Sequence, residues 1–423
     1  MRIIIHRGAR QIGGSCIELA SGSTRLIFDA GLPLDTDTPG ASDPLPVPGL
    51  FTTATPNPTP PVTGFFLTHA HGDHSGLMPH IRPDVPIYLS KGTSQMMLAG
   101  SCFAAQDALP KGRGTILTEG RWLELSPFKI LPLRVDHSAY GALAFLIEAE
   151  GRRVLYTGDL RAHGRKPGML KALCAQAARG PLDVLITEGT LLGSERSAGR
   201  SEHELEDLAT AEMSRSPCLV LTSFSAQHID RFVTFYKAAR KAGRIFVADH
   251  YLEFILHVLR RDMSKLPRIG TGPGDLRLLS FPRQKVMGRG ARERLAGHDA
   301  AGASVTADTL RAEPSRYAML FRPRMIEAVF GGRIPPASTC LYGYWNGYLS
   351  KPEWLDAKKS LEATSGHLIE THTSGHIFSE DLRTLITTLA PRRVVPVHTN
   401  NPEAFRELHA ATVLLPDRVP LAL

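Results

Sequence analysis

Cysteine is scarce and scattered: Cys16, Cys102, Cys174, Cys218 and Cys340 lie far apart, with no CxxC spacing. That excludes a disulfide framework and a cysteine zinc site, and predicts reduced thiols in a cytoplasmic protein. Long hydrophobic runs are missing too. No apolar stretch approaches the roughly 18 residues of a membrane span, so no membrane partner is expected. The opening Met1-Arg2-Ile3-Ile4-Ile5-His6 has too short an apolar run for a signal peptide, and no small-residue cleavage pattern follows it. It reads as a first strand. Acidic residues fall short of basic ones, 41 against 49, and the net charge of +8 fits a polyanionic partner. At 423 residues, 43% apolar and 21% charged, the chain has ordinary globular make-up and the length for two or three compact units.

What stands out is one nonapeptide, Thr68-His69-Ala70-His71-Gly72-Asp73-His74-Ser75-Gly76, directly after the apolar Phe65-Phe66-Leu67. Three histidines and a carboxylate alternate with small residues, so a tight turn at a strand end could aim them at one point. Imidazole with carboxylate suits zinc, and manganese or iron also accept such a set.

Before the motif, Arg2 to Ile5, Ser15 to Leu19 and Arg25 to Asp29 read as a strand meander broken by Gly13-Gly14 and Ser21-Gly22-Ser23. Asp29, ahead of Ala30-Gly31, either orients a metal ligand or forms the turn. Residues Pro39 to Pro61 read as a surface loop. Val62 to Leu67 is a strand into the motif and Gly76 to Ile81 a short helix out of it. Beyond these, Ile87 to Leu89 is a strand and Thr93 to Ala108 a helix. A second run of strands covers Trp122 to Leu125, Ile130 to Val135, Ala144 to Ala149, Val154 to Thr157 and Val184 to Thr187. It ends on further ligand candidates, His137 after Asp136, Asp159 after Gly158, and Glu188.

After Ser194 the texture becomes polar, and Ser201 with Glu204 has capping-box spacing. Cys218 to Thr222, His228 to Ala242 and Arg244 to Ala248 then alternate strand, helix, strand, which implies a separate parallel sheet. Arg316 to Phe321 and Thr339 to Tyr344 read as closing strands of that sheet. A basic stretch holds Arg260, Arg261, Lys265, Arg268, Arg277, Arg283, Lys285, Arg289, Arg292 and Arg294, read either as a solvated face or as a phosphate-tracking surface. Tyr342, Tyr344, Trp345 and Tyr348 read as packing aromatics or base-stacking ones. Histidines return at the ends of the last strands: His372 and His376 after Leu368 to Thr371, and His398 after Arg393 to Val397.

In this order, THAHGDHSG, DHS at His137, YTGD at Asp159, TEG at Glu188, SGH at His376 and VHT at His398, the chain resembles the metallo-β-lactamase superfamily, and within it the β-CASP ribonucleases. The resemblance spans nearly the whole chain. It implies an α/β fold, a metallo-β-lactamase αββα sandwich with an inserted β-CASP α/β cap domain, divided here as 1–193, 194–347 and 348–423, with two zinc ions per chain in the cleft. By motif, His69, His71 and His137 hold one zinc, and Asp73, His74 and His398 the other. Asp159 bridges them, and Asp29 matches the early structural aspartate. Asp73, Glu188 and His376 are the catalytic candidates.

The chemistry suits those groups. Phosphodiester hydrolysis lacks a good nucleophile at neutral pH, and zinc supplies one by lowering the pKa of bound water to about 7. His376, oriented by Glu188, is the candidate for protonating the leaving oxygen. Ser374 and Gly375 are candidates, with His376, for contacting the phosphate.

The late histidine, His398, is typical of RNA-directed members, so single-stranded RNA is the expected partner. The resemblance also makes a homodimer an expectation. The chain stops soon after His398, Thr399 stands where glycine is common, and Thr222-Ser223-Phe224-Ser225 only loosely matches the loop that holds a 5′-phosphate. Internal and 5′-exonucleolytic cleavage both stay open. The alternatives are a DNA-directed nuclease, a small-molecule ester or thioester hydrolase, and an inactive RNA-binding subunit. The insertion and the basic stretch argue against a small substrate, and the filled ligand positions against inactivity.

Overall fold

A computed structural model describes residues 1–34, 45–51, 61–281, 288–295 and 301–423. Most of the expected loop from Pro39 to Pro61 lies outside these residues, as do Arg283 and Lys285 of the basic stretch. In chain order the strands are β1 (Arg2–Arg7), β2 (Cys16–Ser21), β3 (Thr24–Phe28), β4 (Gly64–Phe66), β5 (Ile87–Leu89), β6 (Gly114–Ile116), β7 (Leu123–Leu125), β8 (Phe128–Arg134), β9 (Leu143–Ala149), β10 (Arg152–Tyr156) and β11 (Val184–Glu188). They continue with β12 (Val220–Ser223), β13 (Ile245–Ala248), β14 (Arg277–Leu279), β15 (Ser304–Val305), β16 (Tyr317–Leu320), β17 (Thr339–Tyr342), β18 (His367–Glu370), β19 (Arg393–Val397) and β20 (Pro420–Ala422).

Two compact units result, one of Met1–Leu98, Gln106–Gly199 and Gly375–Leu423, the other of Ala99–Ala105 and Arg200–Ser374. The first holds two sheets, ordered β20-β1-β2-β3-β4-β5-β6 and β19-β11-β10-β9-β8-β7. Alternation along the strands decides which side chains meet between them. Leu143, Phe145 and Ile147 of β9 join Ile17, Leu19, Phe28 and Phe66 of the facing sheet in one core. Ala144 and Leu146 point the other way, to the layer of the helices Gly168–Ala177 and Ser379–Leu389. This is the metallo-β-lactamase arrangement of sheets inside and helices outside.

On the outward face of the first sheet, β1, β2 and β3 bury a charged triad. Arg25 donates to both carboxylate oxygens of Glu18 at 2.8 and 2.7 Å, and His6 lies 2.8 Å from the same group. Burial alone would push Glu18 up, but the hydrogen bonds from Arg25 and His6 outweigh it and hold its carboxyl down at about 2. A carboxyl depressed on folding stabilises the fold above its ordinary pKa, and the contribution fades as pH falls toward 2. Glu18→Gln should therefore cost about 3 kcal/mol at pH 7, because it strips the carboxylate from a buried guanidinium. Thermal melts should show the gap to wild type narrowing steadily between pH 5 and 3, as roughly expected for a carboxyl that must be protonated on unfolding.

The second unit holds one sheet, ordered β15-β14-β13-β16-β12-β17-β18, with every neighbouring pair parallel. The helix Glu202–Arg215 enters it behind the expected box, in which Ser201 caps Glu204 and is capped by it. Leu368 to Thr371, read from the sequence as the resumed first domain, contributes β18, which pairs with β17. The compact first unit resumes at Gly375. The short helix expected at Gly76 to Ile81 is a 3-10 turn at Met78–His80, and a helical turn the sequence did not suggest precedes it at Gly72–Ser75, inside the motif. Ser75 N–H donates to His71 O and Gly76 N–H to Gly72 O, so the first turn closes within the motif. Arg260, Arg261, Lys265 and Arg268 are exposed. Tyr342 is fully buried, whereas Trp345 and Tyr348 remain exposed.

Candidate metal centre

Every histidine and carboxylate of the expected centre lies in the first unit, at the ends of its strands. His69, His71, Asp73 and His74 follow β4, His137 follows β8, Asp159 follows β10, Glu188 ends β11 and His398 follows β19. Strands β10, β11 and β19 run parallel, so three of these groups emerge from one edge of the sheet, where open sheets display their sites.

The motif is pinned from behind. Ser15 N–H donates to Asp73 O at 3.1 Å, Ala30 N–H to His74 O at 2.8 Å and Leu32 N–H to Gly72 O at 3.0 Å. The approach is close enough that a Cβ on Gly31 would fall 1.6 Å from the Asp73 carbonyl oxygen, so only glycine fits there. Asp29 is fully buried with φ of 61°. Its carboxylate accepts from Thr68 N–H at 2.8 Å and Tyr156 Oη at 2.8 Å, and lies 2.9 Å from His74 Nδ1. A carboxylate only accepts, so His74 Nδ1 carries a proton; burial opposes charge on the ring, but the Asp159 and Asp29 carboxylates outweigh it and hold His74 well above its ordinary pKa, so a metal ion at Nε2 would take the place of a proton. Asparagine tolerates the left-handed conformation but lacks the charge. Asp29→Asn should keep the fold and weaken metal affinity about 10- to 100-fold, the scale of a lost outer partner, read by competition with a chromophoric chelator.

Two sets of donors converge. His69 Nε2 lies 3.2 Å from His71 Nδ1, which lies 3.2 Å from His137 Nε2. His137 Nδ1 donates to Gly375 O at 2.6 Å, leaving Nε2 bare. Zinc–nitrogen bonds of 2.0–2.1 Å give a tetrahedron with an edge of about 3.3 Å, so this spacing fits three ligands of one ion. Burial, reinforced in His69 and His137 by the neighbouring imidazoles, holds all three rings below their ordinary pKa. Neutral imidazole is the form that binds metal.

The second set is Asp73, His74, Asp159 and His398. His398 Nε2 is 3.0 Å from Asp73 Oδ2, and its Nδ1 is 2.9 Å from Thr190 Oγ1. Asp159 Oδ2 stands 3.8 Å from His69, 3.2 Å from His74, 3.9 Å from His137 and 3.8 Å from His398. Both of its oxygens are buried without a hydrogen-bond partner among the described residues, and so is His74 Nε2; the 3.2 Å approach between them lacks hydrogen-bond geometry. Buried charged atoms are rarely left so. The residues present fit a metal site.

Glu188 is fully buried. It accepts from Leu160 N–H at 2.9 Å and lies 2.9 Å from His376 Nδ1. Burial alone would lower the His376 pKa, but Glu188 and Asp159 outweigh it and push it up to about 9. Asp159, Glu188, His376 and His398 also form a third group of convergent donors. Gly375 enters through its carbonyl, and Ser374 is the last residue of the second unit.

The sequence reading missed four supports: Thr68, Tyr156, Thr190, and the pair in which Arg161 Nε donates to Asp136 Oδ1 at 2.9 Å. That pair ties the residue before His137 to the segment after Asp159. The one signal available was adjacency, since each sits within two or three residues of a motif histidine or carboxylate.

Residues 25–215 match the family described as "Beta-lactamase superfamily domain", and residues 365–410 the "Zn-dependent metallo-hydrolase RNA specificity domain". Among curated relatives, Ribonuclease J of Corynebacterium glutamicum is 22% identical over 85% of this chain and 49% of its own length. Ribonuclease J of Mycobacterium tuberculosis is 24% identical over 80% and 58%, and the Probable RNase MJ4 of Methanocaldococcus jannaschii 25% identical over 45% of each. The chain spans about half the length of these relatives. A solved structure titled as a protein of unknown function from Enterococcus faecalis shares the fold, with a TM-score of 0.78 at 21% identity over 100% of this chain and 99% of that one. The two matched segments contain the histidine and carboxylate motifs, and the chain carries a metallo-β-lactamase superfamily domain together with a metallo-hydrolase RNA specificity domain.

Proposed function

We propose that the protein is a zinc-dependent ribonuclease that hydrolyses phosphodiester bonds in single-stranded RNA, in the cytoplasm. The observation that carries this reading is Asp159, a buried carboxylate without a hydrogen bond whose Oδ2 lies within 3.2 to 3.9 Å of four imidazoles drawn from both donor sets. A carboxylate so placed suits a bridge between two ions. The names of the relatives, ribonucleases in bacteria and archaea, favour RNA as substrate.

In this reading His69, His71 and His137 hold one zinc, Asp73, His74 and His398 the second, and Asp159 both. Bound there, zinc lowers the pKa of a coordinated water to about 7 and offsets charge on phosphate oxygens. The protein's own groups do the rest. Asp29 and Thr190 fix the rings of His74 and His398 through their Nδ1 atoms. Glu188 holds His376 by Nδ1, so the opposite edge of the ring, Nε2, carries a proton toward the leaving 3′-oxygen. Ser374 and Gly375, directly before His376, are the candidates for contacting the non-bridging oxygens, and the second unit serves as the inserted β-CASP domain.

The test is a 5′-labelled single-stranded RNA and its DNA counterpart, incubated with zinc-loaded protein with and without chelator. RNA is cut, DNA is cut poorly, and chelator stops both. The label pattern separates internal cleavage from attack at the 5′ end. If the zinc-loaded protein cuts neither strand, the reading fails.

A further inference from the structure

The connections of the second unit's sheet diverge from neighbouring strands at two places, β12 with β17 and β13 with β16, and the second of these carries a cavity. From β13 the chain moves outward to β14 and β15, whereas from the adjacent β16 it goes the opposite way, past β12, to β17 and β18. Connections that diverge from neighbouring parallel strands leave a crevice at their carboxyl ends, where open α/β sheets bind ligands. The residues at these two ends are Asp249, directly after β13, and Arg322, two residues after β16.

A cavity of about 340 Å³ lies there, lined by Phe103, Ala104, Tyr251, Arg322, Pro323, Arg324 and Glu353. Its volume falls within the roughly 300–1,000 Å³ of small-molecule sites. Phe103 and Tyr251 stack with centroids 4.9 Å apart and planes 9° from parallel, and the Arg322 guanidinium stands over the Tyr251 ring at 5.5 Å. Gln227 fixes the phenol by donating to its oxygen at 2.6 Å. Arg322 is held in turn, donating from Nε to Asp249 at 2.9 Å, while its buried Nη2 has no acceptor among the described residues. Such a donor normally finds a partner.

The charges at the rim narrow the ligand. Arg322 is offset by Asp249, but neither Arg324 nor Glu353, both exposed, makes an ion pair among the described residues. An inorganic anion would suit Arg324 and be repelled by Glu353. A nucleotide suits both: its phosphate pairs with arginine, a carboxylate accepts from ribose hydroxyls or an exocyclic amine, and the ring lies on the guanidinium and aromatic surface.

We propose that this crevice is a nucleotide-binding pocket, separate from the metal centre. Its occupant is either a free mononucleotide or one nucleotide of a bound strand. The second source rests on the ribonuclease reading, and the first does not.

Calorimetric titration of the zinc-loaded full-length protein with AMP tests it, beside Arg324→Ala and Glu353→Gln. Both variants should keep wild-type zinc content and wild-type turnover of bis(p-nitrophenyl) phosphate, which shows them folded. Saturable binding with Kd below about 1 mM is expected, weakened about tenfold in each variant, the scale of one charged hydrogen bond. If AMP also raises the KM for RNA in wild type and less so in Arg324→Ala, the occupant is a nucleotide of the strand. If AMP binds without affecting RNA cleavage, it is a free nucleotide. Absent AMP binding, or binding of equal strength in all three proteins, overturns the proposal. Failure to cut RNA overturns the ribonuclease reading and leaves the AMP result to decide the pocket.

Discussion

Replacing Asp159 with alanine should abolish turnover, with a loss of at least about 10⁴-fold, because the accelerations that enzymes achieve start near 10⁶-fold. The reason is position. Among the described residues no other carboxylate is shared between the two donor sets: Oδ2 reaches His69 and His137 of one at 3.8 and 3.9 Å, and His74 and His398 of the other at 3.2 and 3.8 Å. Removing it should also cut bound zinc from two equivalents toward one. The His69, His71 and His137 set survives on its own supports, Thr68 behind His69 and Gly375 O behind His137. Metal analysis of the purified variant checks the stoichiometry, and RNA cleavage checks the rate. A variant that keeps two zincs would show that Asp159 does not bridge.

His376→Ala should behave differently, retaining both metals while losing about 10²- to 10⁴-fold in rate, the usual worth of a positioned proton donor. Glu188 lies 2.9 Å from the ring, and the side chain is 22% exposed, where His69, His74, His137 and His398 are nearly sealed and, of the other imidazoles, His71 alone is half-buried. A group that must meet substrate needs that access, whereas a ligand needs none. The opposing possibility is concrete, since His376 also lies 3.7 Å from Asp159. Zinc lost from the variant in proportion to activity would make His376 a ligand. Glu188→Gln should give a milder defect of the same kind, because the amide still accepts a hydrogen bond but no longer raises the ring's basicity.

Much of this centre was legible in the sequence, for a local reason. Six consecutive positions, His69 to His74, supply four of its groups, and a one-turn helix suffices to gather them. The distant groups were legible in part because each follows a short apolar strand, and strand ends of one sheet are spatial neighbours. Three things were not legible. The ring edge of His71 that faces the others depends on backbone placement after His69. Asp29 looked as much like a turn residue as an orienting one, and it is both: its left-handed backbone makes the turn, while its carboxylate meets His74, Thr68 and Tyr156. The strand His367–Glu370 carries no mark of its partner, because a four-residue strand records which faces are apolar and not which edge it joins. Its pairing with β17 had to be seen.

The pocket of the second unit shows the same limit more sharply. Phe103, Tyr251, Arg322 and Glu353 are spread over 250 residues of sequence and share no motif. Only the order of strands brings them together, and strand order in a parallel sheet is a property of the whole fold.

The central claim is that the histidine and carboxylate cluster is a two-zinc centre that cuts RNA. Its most direct test is zinc titration into chelator-stripped protein, with cleavage of labelled single-stranded RNA measured at each addition. Cleavage should be absent at the start, stay low through the first equivalent and rise to a plateau at the second. Cleavage that persists in metal-free protein, or that never appears once two equivalents are bound, would contradict it.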